Sequence, residues 1–195
     1  MKYTIMNSFK SFLLMAVVGL VSFTSCDNGG VTASGTGQEG DWKSKMEEML
    51  PLLGHRNWIV IADMAYPLQS GEGIVTLYAD QPYLDVLKTT VRMIDEAPHV
   101  FAHVYNDKEQ EYITEDLVKG IDGLRSSIKE ICGPEASSMM HEDLISRLDE
   151  AGKLFTVVII KTPLTVPYTT TFLELDCDYW DAASQEKLDS RIKGN

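Results

Sequence analysis

From about Asp41 onward the chain predicts an α/β fold, a mostly parallel, helix-covered sheet of about five to six strands. Three observations predict it. Strand-length apolar runs alternate with stretches whose apolar residues recur at helical spacing. The run Trp58-Ile59-Val60-Ile61-Ala62 is continuously apolar, as in a strand buried on both faces. Gly and Pro punctuate the boundaries, at Gly71, Gly73, Pro82 and Gly133-Pro134.

The elements follow in order. Residues 41–53 predict a helix that Asp41 can cap, with Trp42, Met46, Met49 and Leu53 on one face and Pro51 near its end. Residues 57–63 predict a strand, and residues 74–79 a second. Pro82 suits the first turn of a helix continuing to about Ala97, whose buried stripe is Leu84, Leu87, Val91 and Ile94. Residues 99–105 predict a third strand. A helix is expected from about Thr114 to Cys132, and a shorter one from Ser138 to Ala151. Residues 154–161 and 169–175 predict two closing strands, joined closely enough to run antiparallel. The charged tail after Asp181 has helical character.

The first 40 residues read differently. Lys2 and Lys10 precede the apolar run 12–23, which is shorter than the roughly 20 residues a membrane-spanning helix needs. Small residues then lead to Cys26, a pattern that resembles a bacterial lipobox, with Phe23 bulkier than its usual aliphatic residue. Residues 1–25 are therefore expected to be a lipoprotein signal peptide, with Cys26 lipidated. Residues 26–40, rich in Gly, Ser and Thr, are expected to be a flexible tether. The localisation that follows is an exported lipoprotein, held at a membrane through its lipid and facing the periplasm or the cell surface. Residues 41–195 then form a single domain, with an extension from about residue 178.

The formal net charge is −12, and more negative still without Lys2 and Lys10. Phosphate binding needs clustered Lys and Arg, so nucleic acid is excluded as a partner. Attraction to anionic lipid is excluded too, which leaves anchoring to the acyl chain. Cys132 and Cys177 are read as small buried residues; an exported compartment would permit a disulfide.

The candidate chemistry starts in Gly54-His55, which leads into the first strand; that strand ends in Asp63, with Tyr66-Pro67 beyond. Strand ends are where α/β folds expose reactive side chains on a rigid frame. A fold-back at Gly54 would let His55 and Asp63 face one pocket. His141, in Met140-His141-Glu142-Asp143, and Tyr168, in Val166-Pro167-Tyr168-Thr169-Thr170, complete the set.

With these motifs in order, residues 45–177 resemble the D-ribose pyranase / L-fucose mutarotase family. The Gly-His, the Asp at the strand end, the Pro beyond it, the His-Glu before the penultimate strand and the Tyr opening the last strand all match. The family's Tyr-x-Asn is here Tyr168-Thr169-Thr170, so Thr170 replaces an amide by one hydroxyl. The resemblance implies a three-layer fold, a ring-shaped homo-oligomer with sites at subunit contacts, and a monosaccharide ligand. It implies ring opening and closing by proton transfer, without cofactor or metal. His55 would then be the main acid/base, since His titrates near neutrality. Asp63 would orient it or hold a hydroxyl, and His141 would be a second proton carrier. Tyr168, Thr170 and Tyr66 would bind the sugar. The alternatives are a non-catalytic sugar-binding lipoprotein and an interaction protein that keeps only the fold.

Each residue also has a structural reading. His55 can sit at a helix C-terminus, Asp63 can close a turn, His141 can be a solvated surface side chain and Tyr168 can fill a sheet edge. His99 and His103 share a strand face but lack further metal ligands placed by sequence. Gly71-Glu72-Gly73 is a turn, since the dinucleotide fingerprint needs a preceding strand and a third glycine. His141-Glu142 lacks the second His of a zinc-protease helix, and no Gly-x-Ser-x-Gly elbow occurs.

Overall fold

A computed structural model describes residues 41–194. The expected signal peptide, Cys26 and the tether lie outside the described residues. Helix α1 spans Asp41–Met49 and runs into a 3-10 turn, Leu50–Leu52, where Pro51 sits. Strand β1 is Trp58–Ala62 and β2 is Ile74–Tyr78. Helix α2 is Tyr83–Asp95, with Pro82 as the residue before its first turn. Strand β3 is Val100–Asp107, followed by a 3-10 turn, Lys108–Tyr112. Then come α3 (Ile121–Cys132), β4 (Ser137–Met139), α4 (His141–Ala151), β5 (Val157–Lys161), β6 (Thr171–Cys177) and α5 (Ala182–Lys193).

The six strands form one sheet in the order β2-β5-β1-β6-β3-β4. Strand β5 pairs parallel to both β1 and β2, and β4 parallel to β3. Only β6 runs against its neighbours, β1 and β3. The sheet is therefore mostly parallel, as expected. The two closing strands do run in opposite directions, but they are not partners, because β1 lies between them. Residues 162–170 carry the chain across β1.

Strand side chains alternate between two faces. Ile59, Ile61, Val158, Ile160, Leu173 and Leu175 enter one core, shared with α1, α2 and α3. Trp58, Val60, Ala62, Val157, Ile159 and Phe172 enter the other, which Leu144 and Leu148 of α4 cover. The result is three layers, with the central strands β1 and β5 buried on both faces. Leu144 and Leu148 sit at i, i+4 on α4 and are wholly buried. Each such burial contributes about 1.5–3 kcal/mol, which fixes the position of α4.

Two helix starts differ from expectation. Helix α3 begins at Ile121 rather than near Thr114. The Glu115 carboxylate accepts from the N–H groups of Gly120 (2.8 Å) and Asp122 (3.0 Å), so residues 114–120 wrap around to cap the helix instead of joining it. Helix α4 begins at His141 rather than Ser138. Residues 137–139 extend and pair with Tyr105, Asn106 and Asp107 of β3. The two cysteines of the domain are half-buried and unbonded.

Candidate functional site

Because β1, β3, β4 and β5 run parallel, their C-terminal ends open on one edge of the sheet, and β6 begins there. Open α/β sheets bind ligands outside that edge. Here the edge carries an open cleft of about 570 Å³, lined by Asp63, Tyr66, His141, Val166, Pro167 and Tyr168 among others.

His141 is the first residue of α4. Its backbone N–H donates to both oxygens of Glu109, each at 3.1 Å, so a carboxylate from the turn after β3 caps the helix. Its Nδ1 donates to Asp107 Oδ1 at 2.9 Å. The ring meets Tyr168 edge-on at 5.9 Å and Phe172 at 6.3 Å. With Nδ1 held, Nε2 has no partner among the described residues and is free to exchange a proton. The Asp107 hydrogen bond raises the His141 pKa above the ordinary value, partial burial opposes this, and the charges of Asp107, Glu109 and Glu142 add to the rise.

Asp107 closes β3 and is fully buried; it was not among the residues singled out from sequence. Burial pushes its carboxyl above the usual carboxylate range, His141 holds it back and the Thr170 backbone amide helps. A carboxylate–imidazole pair of this kind fixes the tautomer and orientation of the ring. The signal available in sequence was an acidic residue at a strand end. The strand was expected to stop at Tyr105, which placed Asp107 in a loop.

Asp63 follows β1, and its Oδ1 accepts from the Ala65 N–H at 2.7 Å in a local turn. Tyr66 is buried, and its hydroxyl has no hydrogen-bond partner among the described residues. Burial first, then Asp149 and Asp107, raise its pKa. Tyr168 is 42% exposed and adopts φ 52°, a left-handed conformation uncommon for a bulky residue. Gln110 Nε2 holds its carbonyl at 3.1 Å, and Thr169 Oγ1 donates to the Val166 carbonyl at 2.8 Å. Thr170 lies beneath, 1% exposed, with Oγ1 unpartnered.

The structure brings Asp63, Tyr66, His141 and Tyr168 to this cleft and leaves His55 out of it. His55 precedes β1, so it stands at the opposite edge of the sheet from Asp63, and the intervening strand is about 16 Å long. The chain does turn at Gly54, where the Asn57 N–H donates to the Gly54 carbonyl at 3.1 Å, but the turn leaves His55 at that opposite edge. The Arg56 N–H donates to the Leu175 carbonyl at 2.9 Å, which continues the β1–β6 ladder beyond the first residue of β1. His55 is exposed there, close enough to Asp176 to help hold that carboxyl low. The first cause of that lowering is the Cys177 N–H, and His103 Nε2, 3.3 Å away, also contributes. His99 turns elsewhere, its Nε2 lying 3.2 Å and 3.1 Å from the carbonyls of Leu50 and Leu53. Among the described residues no group of three or more His, Cys, Asp or Glu could hold a metal ion.

No family model matches the sequence, and no curated protein does. Among solved structures, the chain is similar to ribose-complexed RbsD of Bacillus subtilis, at 19% identity over 72% of this chain and 98% of that one, with TM-score 0.49. It is similar to the fucose mutarotase of Streptococcus pneumoniae in complex with L-fucose, at 17% identity over 68% and 91%, with TM-score 0.46. It is also similar to FucU from Bifidobacterium longum, at 17% identity over 68% and 94%, with TM-score 0.43.

Proposed function

We propose that the chain is a monosaccharide mutarotase or pyranase-like protein that opens and recloses a sugar ring by proton transfer in the cleft. The observation that carries this reading is the Asp107–His141 pair, an imidazole tied at Nδ1 to a buried carboxylate with its other nitrogen unpartnered, in a cleft rimmed by Tyr168 and Asp63. Ring opening requires one group to take the anomeric proton and another to protonate the ring oxygen; reclosing reverses the roles. His141 Nε2 suits one of these. Tyr168 presents an exposed ring on which a sugar's apolar face can stack.

The second proton carrier is His55, supplied by a neighbouring copy. Within one chain it stands on the wrong edge of the sheet for this cleft, so the reading requires an oligomer in which one copy's His55 edge meets the next copy's cleft. The backbone favours a built site at both edges. Among the described residues only Arg56, adjacent to His55, and Tyr168 are non-glycine residues with positive φ, and such strain concentrates at functional positions. In the proposed setting, Cys26 carries a lipid that holds the oligomer at a membrane, facing the periplasm or the cell surface.

A non-catalytic sugar-binding lipoprotein is the second reading, and Thr170 favours it. Where the resembling family places Asn, this chain has a buried hydroxyl that does not line the cleft. Exchange spectroscopy on the anomers of a panel of pentoses and hexoses separates the two. Faster anomer exchange with the wild-type protein than with His55→Asn supports catalysis. Sugar-induced shifts without faster exchange support binding alone.

A further inference from the structure

Three side chains from the end of β3 and the turn after it hold residues of the cleft. Asp107 holds the His141 imidazole, Glu109 holds the His141 N–H, and Gln110 Nε2 donates to the Tyr168 carbonyl at 3.1 Å. The first two fix the proton carrier. The third fixes the residue whose ring faces it, and Gln110 is not itself among the residues that line the cleft.

Gln110 is the buried residue of the turn Lys108–Tyr112, 5% exposed. Glutamine is ordinarily a surface residue, so its burial here calls for a role. The turn is anchored from α3, where Arg125 Nη2 donates to the carbonyls of Gln110 at 2.9 Å and Ile113 at 2.6 Å. The Gln110 amide therefore projects from a fixed base.

Tyr168 is where a hold is needed. At φ 52° its Cβ crowds its own carbonyl, a conformation that a bulky residue leaves unless its surroundings enforce it. Other contacts secure its neighbours. Thr169 Oγ1 donates to the Val166 carbonyl at 2.8 Å, the Thr170 amide donates to Asp107, and Thr171 Oγ1 donates to Asn106 Oδ1 at 2.8 Å. Among the described residues, the bond from Gln110 is the one made by the Tyr168 backbone itself. That backbone aims the ring, which stands edge-on to His141 with centroids 5.9 Å apart and planes at 83°. A relaxed, negative φ would swing the ring off this line.

We propose that Gln110 is a positioning residue of the cleft: by donating to the Tyr168 carbonyl it keeps Tyr168 left-handed and so sets the ring beside His141, where a sugar's apolar face would stack. The inference rests on the reading of the cleft as a sugar site and adds to it a residue that acts through another.

NMR and kinetics on the full-length protein test it. In the wild type, Tyr168 should give the intense intraresidue amide–Hα cross-peak of a left-handed residue, and the Gln110 side-chain amide protons should exchange slowly with water. Gln110→Met keeps the length and bulk of the side chain but removes the donor. It should weaken that cross-peak and shift the ring signals of protonated His141, because the Tyr168 ring current moves away. The His141 titration midpoint should stay where Asp107 sets it. On the best sugar of the panel, Gln110→Met should raise KM at least about tenfold with kcat changed less than about threefold, the pattern of lost substrate binding. Tyr168→Ala should do the same. Adding Gln110→Met to Tyr168→Ala should change neither constant further, since a residue that acts through the ring has nothing to act on without it. A further loss in the double variant would make Gln110 a general structural residue and overturn the proposal. So would a wild-type Tyr168 without the left-handed signature, rapid exchange of the Gln110 amide, or a Gln110→Met variant with wild-type spectra and KM. No acceleration of any sugar by the wild type would defeat the mutarotase reading instead, and the spectra would still decide the role of Gln110.

Discussion

His141 Nδ1 lies 2.9 Å from Asp107 Oδ1, although the two residues are 34 positions apart in the chain. One opens α4 and the other closes β3, and the short parallel pairing of β4 with β3 brings them together. Asp107 raises the affinity of His141 for a proton, so Asp107→Asn should lower the His141 pKa toward or below the ordinary value of about 6.5. An NMR titration of the imidazole Cε1 proton reads this directly.

The same pair sets a pH dependence of stability. A histidine whose folded pKa is raised contributes stability that is fully present below its unfolded pKa, about 6.5, and is lost as pH rises through the folded value. Asp107, raised by burial, acts in the same direction, since burying its charged form disfavours the fold at higher pH. Urea midpoints should therefore fall from pH 6 to pH 8 more steeply in the wild type than in His141→Asn. Equal slopes would show that the pair is not coupled to folding.

Helix α4 holds the imidazole in place through two leucines. Leu148→Ala should cost about 2–5 kcal/mol of unfolding free energy, because Leu148 is wholly buried against the sheet and its loss leaves a cavity. Glu109→Gln, which weakens the carboxylate cap at the His141 N–H, should cost about 0.5–2 kcal/mol. Denaturant unfolding monitored by fluorescence measures both, and the larger effect is expected from Leu148.

The layers were legible in the sequence because they follow from local pattern. The apolar run of β1, the helical spacing of Leu87 and Ile94 and the Gly133 stop each report on neighbours along the chain. The strand order was not legible. Nothing local says that β1 inserts between β5 and β6, and this pairing separates two strands that looked like a hairpin. Strand β4 was hidden for a similar reason, since Ser137-Ser138-Met139 carries little strand propensity and extends only because β3 offers an edge. The site was half legible. Asp63, Tyr66, His141 and Tyr168 all stand at chain positions that a parallel sheet gathers on one edge. His55 precedes its strand, so the same rule sends it to the opposite edge. Asp107 was missed because β3 runs two residues further than its apolar residues suggest.

That separation yields a prediction about assembly. If one copy's His55 serves the next copy's cleft, sedimentation of the protein should show more than a monomer. Mixing two inactive variants, His55→Asn and His141→Asn, under conditions that let subunits exchange should also restore part of the anomer exchange, since some contacts then hold both wild-type histidines. A mixture no more active than its parts would place the two histidines in separate roles.

The most direct measurement is the rate of anomer exchange catalysed by the wild type, Asp107→Asn and His141→Asn, compared on the best sugar of the panel. The account predicts that removing the His141 imidazole lowers the rate by about 10²–10⁴-fold. Asp107→Asn, which leaves the ring but loosens its tautomer, should fall between that variant and the wild type, with its pH optimum moved downward. Exchange by His141→Asn as fast as by the wild type, or no acceleration by the wild type on any sugar tried, would contradict it.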